Sequence, residues 1–586
     1  MRFKRPLLTT LGLSVALVLS ACSGGGNQPA GDGQKQAGGT VTIGDRQINW
    51  FNPILSAAAC TGHNLRTVQS MLYRPVLAIS PKLDVNWADS IASAVTPSDQ
   101  GTKYSVTLKP FKWSDGTQIT SADVAAFYYV LKYGAKSNSC LFGLGGLPDQ
   151  TSEFKITDET HFEINYTPRS AGYNPTWVQL SALTWLTPLP IKQWVTACPG
   201  TGFSPTNPSE TGAAALWQCL NEQGANYKWA GYDTVSGPYK IDAANWNSSS
   251  TYPFVKNAAY SGQAPSLDKI ILVNQASTTD VFTGLKSGTL DIGVIPANLV
   301  PQVKSLRDFT AEPAAMWADS RIVLNLQAMN AGLREAFNDK QVRIALQRGV
   351  DTDTIVNNLS HGVWYPSYGP VPSNPQTYLS PELKSGSPYP FDIEKAKQVL
   401  AAAGYTLVDG VQTKNGTPLA FTLTYTSGDP MIESVVQLLQ SDWAKIGVKV
   451  TLTAMPAAAL GNAQFDPAQA KKLEASTVFP GGWVYQPNYY PTGETLWNCN
   501  GTSTSFFGFV CDEKLDRLIS KTTENPSSGT SAQDALNQYQ NYVADNAYNI
   551  FVPAGWGDLV VSNSVGGVRD RYASHMWYPE YWYRTS

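Results

Sequence analysis

The chain has 586 residues, too many for one hydrophobic core, so two or three lobes are expected. Hydrophobic residues make up 42% and charged residues 15%, which excludes a disordered polyelectrolyte. A net charge of -3 offers no basic face for nucleic acid, whereas 17 Trp and 28 Tyr suit a surface that grips a neutral or mixed ligand by stacking and burial.

The chain opens with a basic segment, MRFKRP, followed by the apolar stretch LLTTLGLSVALVLSA. That stretch is too short for a stable membrane span and reads as a signal peptide over 1–21. It ends in LSAC, where the small residues Ser20 and Ala21 admit a signal peptidase and Cys22 becomes the lipidated first residue of the mature chain. The Gly/Gln/Ser-rich stretch over 22–39 reads as a flexible tether. Six further cysteines remain: Cys60, Cys140, Cys198, Cys219, Cys499 and Cys511. An even number in an exported protein suggests disulfides. Cys198/Cys219 and Cys499/Cys511 are the local pairs, leaving Cys60/Cys140, but spacing alone leaves the connectivity open. There is no CxxC, which argues against a zinc ribbon or a thioredoxin-like site.

GGTVTIG reads as the first strand and KYSVTLKP (103–110) as the next clear one, because apolar and polar residues alternate. The helix TSADVAAFYYVLKYG begins at Thr120 as N-cap, with Val124, Phe127, Tyr128 and Leu131 at helical spacing. HFEINYTP (161–168) is another strand. From about 170 to 235 Pro, Trp and Cys are frequent and periodicity is weak, so long loops with short helices are expected. From 266 strands and helices alternate: LDKIILVN, a capped helix ending at Gly288, LDIGVI and RIVLNLQ (321–327). Helices follow from the N-caps Asp339 and Asp351, the second stopping at Gly362, and FDIEKAKQVLAAAGY closes at Gly404. LAFTLTYTS, a helix with Asp429 as cap, Pro430 at N1 and Gly447 at its end, and VKVTLTAM make a βαβ unit whose strands should be parallel.

No catalytic constellation stands out. His63, His161, His361 and His575 are scattered, with no HExxH spacing, and there is no GxSxG elbow or P-loop. FGLGGLP (142–148) lacks phosphate-loop spacing and reads as a loop. No metal site and no cofactor are expected, and a binding role is favoured over an enzyme.

Several of these stretches, in order, resemble the family 5 extracytoplasmic solute-binding proteins of ABC importers, the peptide, nickel and oligosaccharide group. NWFNPI, MLYRPVLAI, KYSVTLKPFKWSDGTQITSADVAAFYYVLK, SGPYKI, LKSGTLDIGVI, NLQAMNAGLREAFNDKQVRIALQRGVDTDTIV and LLQSDWAKIGVKVTL carry the likeness. The resemblance implies a two-lobed α/β, periplasmic-binding-protein-like fold (type II, cluster C). Its first lobe is discontinuous (40–70, 230–315 and 552–586), with a subdomain inserted at 71–229 and a hinge to a second α/β lobe at 316–551. It further implies a monomer that closes on a ligand and docks on a membrane permease. Within the WSDGT segment, Trp113 and Asp115 are expected to form a structural turn.

The uncharged, aromatic stretch VFPGGWVYQPNYYPTG (478–493) falls where this family carries a G-W-x-x-D-x-x-D-P loop. In its peptide binders the first Asp pairs with the ligand's α-amino group. Gly482 and Trp483 match, but Gln486 stands at the acid's position, with Tyr485 before it and Asn488 after. A neutral amide cannot neutralise a buried ammonium. The candidate ligand residues are therefore Gly482, Trp483, Tyr485, Gln486, Asn488 and Tyr489, with Trp50, Asn52, His361 and Trp364 as further cleft candidates. The expected ligand is an oligopeptide, with an oligosaccharide as the alternative. A secreted glycoside hydrolase and a surface adhesin are the remoter readings.

Overall fold

A computed structural model describes residues 34–586, except 57–58, 60–61, 82–84, 100–101, 144–145, 168–182, 276, 315–316, 479–490, 494–495, 500, 502–503, 523–531, 569–571 and 574–575. Cys22, Cys60 and the candidates Gly482, Trp483, Tyr485, Gln486, Asn488 and Tyr489 lie outside the described residues.

The chain enters on β1 (Thr40–Asp45), whose alternation buries Val41 and Ile43 completely. It then leaves for β2 (Ala92–Ser98), β3 (Lys103–Leu108), helix α1 (Ser121–Tyr129), β4 (Thr151–Ile156) and β5 (His161–Tyr166). These four strands form an antiparallel sheet in the order β2-β3-β5-β4. Between β3 and α1 the WSDGT segment is a tight turn. Asp115 accepts from the Thr117 backbone at 2.9 Å, and the Trp113 indole donates to Asp123 at 3.4 Å. Asp123 also closes the α1 capping box by accepting from Thr120 N at 2.7 Å. Burial pushes the Asp123 carboxyl up to about 6, against the pull of these hydrogen bonds.

The Pro- and Trp-rich region holds more helix than its weak periodicity predicts. Helix α2 (Glu210–Gln223) starts at Ser209, whose hydroxyl accepts from Gly212 N at 3.0 Å. It buries Ala213, Leu216, Trp217 and Leu220, and Cys219 is bonded to Cys198. Gly134 admits it, because a Cβ there would lie 2.5 Å from the Ala213 carbonyl oxygen. Cys499 is bonded to Cys511, and Cys140 is also disulfide-bonded, to a partner outside the described residues.

The chain returns on β6 (Tyr239–Ile241), β7 (Thr251–Lys256), β8 (Lys269–Asn274), α3 (Thr278–Ser287), β9 (Ile292–Pro296) and β10 (Phe309–Pro313). It crosses to β11 (Arg321–Leu324), α4 (Lys340–Arg348), α5 (Ile393–Ala402), β12 (Ala420–Thr426), α6 (Pro430–Lys445), β13 (Lys449–Met455), β14 (Ala475–Val478) and β15 (Ile550–Phe551). It recrosses to β16 (Gly557–Ser562). The first-lobe sheet has the order β10-β16-β9-β1-β8-β7-β6, and the second-lobe sheet the order β13-β12-β14-β11-β15. The predicted βαβ unit is β12-α6-β13, and its strands pair in parallel from Ala420↔Lys449 to Thr426↔Met455. Two expected α-helices differ in part: the chain continues past the end of α1 as a π-helix over Val130–Ala135, and the helix expected from Asp351 is the other. From Thr354 to Leu359 the chain is wound wider, as a π-helix, with Ser360 N donating to Ile355 O at 2.9 Å.

The core is divided by lobe. One apolar cluster runs unbroken from Val41, Phe254 and Ile270 of the large sheet to Tyr104, Val106 and Phe162 of the small one. A second is built on Ile322, Phe421, Leu423, Val436 and Trp443. The C-terminal segment seals the first lobe. Glu580 and Arg74 form a fully buried ion pair, and Arg74 Nε donates to Tyr260 Oη at 2.9 Å. Desolvation lifts the Glu580 carboxyl to about 7 even beside this guanidinium.

Candidate functional site at the carboxyl edge of the second-lobe sheet

Strands β12, β13 and β14 run in one direction, and β11 is antiparallel to β14 and to β15. The carboxyl ends of β12, β13, β14 and β15 therefore meet the start of β11 along one edge. Arg321 is the register partner of both Val478 and Phe551. In open α/β sheets the ligand crevice lies outside such carboxyl ends.

The same edge carries the two strands that join the lobes. They run side by side: Ala314 N donates to Gly557 O at 2.8 Å, and Val552 N to Ser320 O at 3.1 Å. A third segment joins them, since Tyr365 and Ala554 exchange backbone hydrogen bonds of 2.8 and 2.9 Å. That bridge brings the candidate Trp364 to the hinge. Gly555 is required there, because a Cβ would lie 2.5 Å from Trp364 Cδ1. His361 is exposed at a left-handed φ of 53°, at the turn that delivers Trp364.

The chemistry of this edge is an excess of buried donors. The indole N–H groups of Trp317, Trp364 and Trp497, the hydroxyls of Ser320 and Ser367, and Nε and Nη2 of Arg321 are buried without a hydrogen-bond partner. Each such group costs about 1–3 kcal/mol, and native proteins keep few of them without a water, a ligand or a function to explain them. Arg321 is held by Asp319, which accepts from Nη1. It lies over the Phe507 ring at 3.9 Å, with Trp497 at 5.7 Å and Phe506 at 5.8 Å.

Of the remaining sequence candidates, Trp50 and Asn52 are the described ones. Trp50 and Asn52 sit in the first-lobe core. The Trp50 indole donates to the carbonyls of Asn52 (2.9 Å) and Ile54 (3.2 Å), and its ring packs on Gly224. Asn52 Oδ1 accepts from Ile54 N at 2.9 Å, closing the turn, while its Nδ2 is buried without a partner. Of the ten candidates, Trp364 and His361 are the described ones that the fold brings near the hinge. Trp317, Ser320, Arg321 and Trp497 escaped the sequence reading. The one signal available was DSRIV, an acid and a base at the head of an otherwise apolar strand.

Among the described residues no group of three or more His, Cys, Asp or Glu is placed to hold a metal ion. No helix among them is long and apolar enough to cross a membrane.

The family model described as "Bacterial extracellular solute-binding proteins, family 5 Middle" matches residues 78–503. The chain is 25% identical over 447 residues to the oligopeptide-binding protein AppA of Bacillus subtilis, covering 74% of this chain and 73% of that one. It is likewise 25% identical over 393 residues to the nickel-binding periplasmic protein of Escherichia coli, covering 66% and 67%. The solved structure of Bacillus subtilis AppA with a nonapeptide superposes with a TM-score of 0.68 at 20% identity, over 94% of this chain and all of that one. NikA from Brucella suis with Fe(III)-EDTA gives 0.71 at 17% identity, over 93% and 100%.

Proposed function

The chain belongs to the family 5 bacterial extracellular solute-binding proteins, and from that premise we propose that it captures an oligopeptide between its lobes and passes it to an ABC import permease. The family works by binding and not by catalysis. The observation that carries the peptide reading is the set of unpartnered buried donors at the hinge edge. An extended peptide offers a carbonyl acceptor at every residue, which is the complement such donors lack. The oligopeptide-binding relatives support the same choice.

The mechanism follows from the paired crossing strands. Small backbone rotations in two adjacent strands swing one lobe against the other without unfolding either core. A ligand that touches both lobes stabilises the closed form by its differential affinity for it. Closure removes water from the ligand and strengthens each hydrogen bond the edge donates.

A thermal-shift screen tests this reading, using short peptides, cello- and xylo-oligosaccharides and nickel. Peptides should raise the melting temperature, with a ligand at 100 times its dissociation constant adding roughly 2.7 kcal/mol. Stabilisation by oligosaccharides alone would replace the peptide reading with its alternative. Gln486, standing where peptide binders carry an acid, favours that alternative, or peptides whose amino group is blocked.

We also propose that Cys22 carries the lipid that anchors the mature chain outside the cytoplasmic membrane. Cys22→Ser should move the protein from the membrane fraction to the soluble one, read by fractionation and immunoblot.

A further inference from the structure

We propose that Arg321 anchors a carboxylate of the captured ligand, so that the protein selects ligands bearing one. This rests on the binding reading above and adds the chemical class of the ligand's end group.

A guanidinium has three directions to satisfy: two faces and its donor edges. In Arg321 aromatic packing and Asp319 account for one face and part of the donor edge. Phe507 covers a face at 3.9 Å, and Asp319 takes Nη1. The remaining edge, Nε and Nη2, is buried and donates to nothing. Those two N–H bonds are parallel and coplanar, the fork that receives both oxygens of one carboxylate side-on. A lone amide carbonyl or hydroxyl cannot fill both positions at once. An unpartnered charged donor in a buried site is also costlier than a neutral one, so the fold has reason to hold it only if something completes it.

Position supports the assignment. Arg321 opens β11 at the carboxyl edge, opposite the ends of β14 and β15. Its neighbour Ser320 is bonded into the paired hinge strands through Val552. The indoles of Trp317 and Trp497 and the Ser320 hydroxyl add further unpartnered donors to the same edge, none of them charged. Asp319 is a positioning residue here, since it fixes the guanidinium plane and leaves the other edge to the ligand.

Isothermal titration calorimetry on the mature chain decides the matter with ligand pairs that differ in one group. One series is short peptides with a free C-terminal carboxylate and the same peptides amidated. The other is oligogalacturonides and their methyl esters. In the wild type the acid should bind about 10- to 100-fold more tightly than its neutral partner, the value of a charge-assisted bidentate bond. In Arg321→Lys, which keeps the charge but loses the fork, that ratio should fall towards one while the neutral ligand's affinity changes little. Equal binding of acids and their neutral partners by the wild type overturns the anchor and leaves peptide capture standing. Acid-selective binding of galacturonides with no binding of any peptide overturns peptide capture and leaves the anchor standing. Binding of neither series overturns both. If Arg321→Lys does not fold, the wild-type ratio decides alone.

Discussion

Two buried carboxyl groups, Asp123 and Glu580, show how the same desolvation is met in different ways. Glu580 has a cationic partner, and the pair lies wholly out of water. Arg74→Met would strand the carboxyl group and should cost about 3–5 kcal/mol in denaturant unfolding, whereas Arg74→Met with Glu580→Leu should recover most of that loss. Asp123 has hydrogen bonds but no cation, and its folded value of about 6 lies above its ordinary 3.8. A raised value means that the fold favours the protonated form. The stability it contributes is whole below about pH 4 and is lost as pH rises through 6. Asp123→Asn keeps an acceptor for Thr120 N and should flatten the dependence of melting temperature on pH across that window. At this scale the sequence was least informative. Arg321 heads an apolar strand, and nothing in a linear pattern says which edge of a guanidinium will be left open.

Elements were far more legible, wherever the signal is local. Helix α6 has its cap, its N1 proline and its closing glycine in sequence, and all three act as read: Asp429 accepts from Met431 N at 2.8 Å and from Ile432 N at 3.3 Å, and Gly447 turns at φ 81°. Asp429→Ala should cost about 1 kcal/mol, measured by chemical denaturation. Helix α2 shows the opposite case. Its apolar face is short, prolines surround it, and its stability comes from packing on the backbone at Gly134 and from the Cys198–Cys219 bond, both non-local. The π-wound turn at Thr354–Leu359 was also unreadable, since its sequence TIVNNL carries no local mark of the wider winding.

At the scale of the whole molecule the two-lobed architecture was reached through the family resemblance, because no local pattern says that a chain will leave a lobe and return to it. The edge where ligand is expected follows from strand direction, which the βαβ unit announced. What sequence could not convey is how the two lobes are wired in time. Strand β16 lies between β10 and β9, so the large sheet has a gap until residues 557–562 arrive. The Arg74 charge likewise waits for Glu580, six residues from the end of the chain. During vectorial emergence from a translocation pore, the second lobe is then the first unit able to assemble most of its core, with Tyr578 its one late buried member, although more than half of the chain precedes it. A chain ended after Phe551 should keep residues 321–551 resistant to limited proteolysis while residues 40–313 are digested, so that the first lobe made is the last lobe finished.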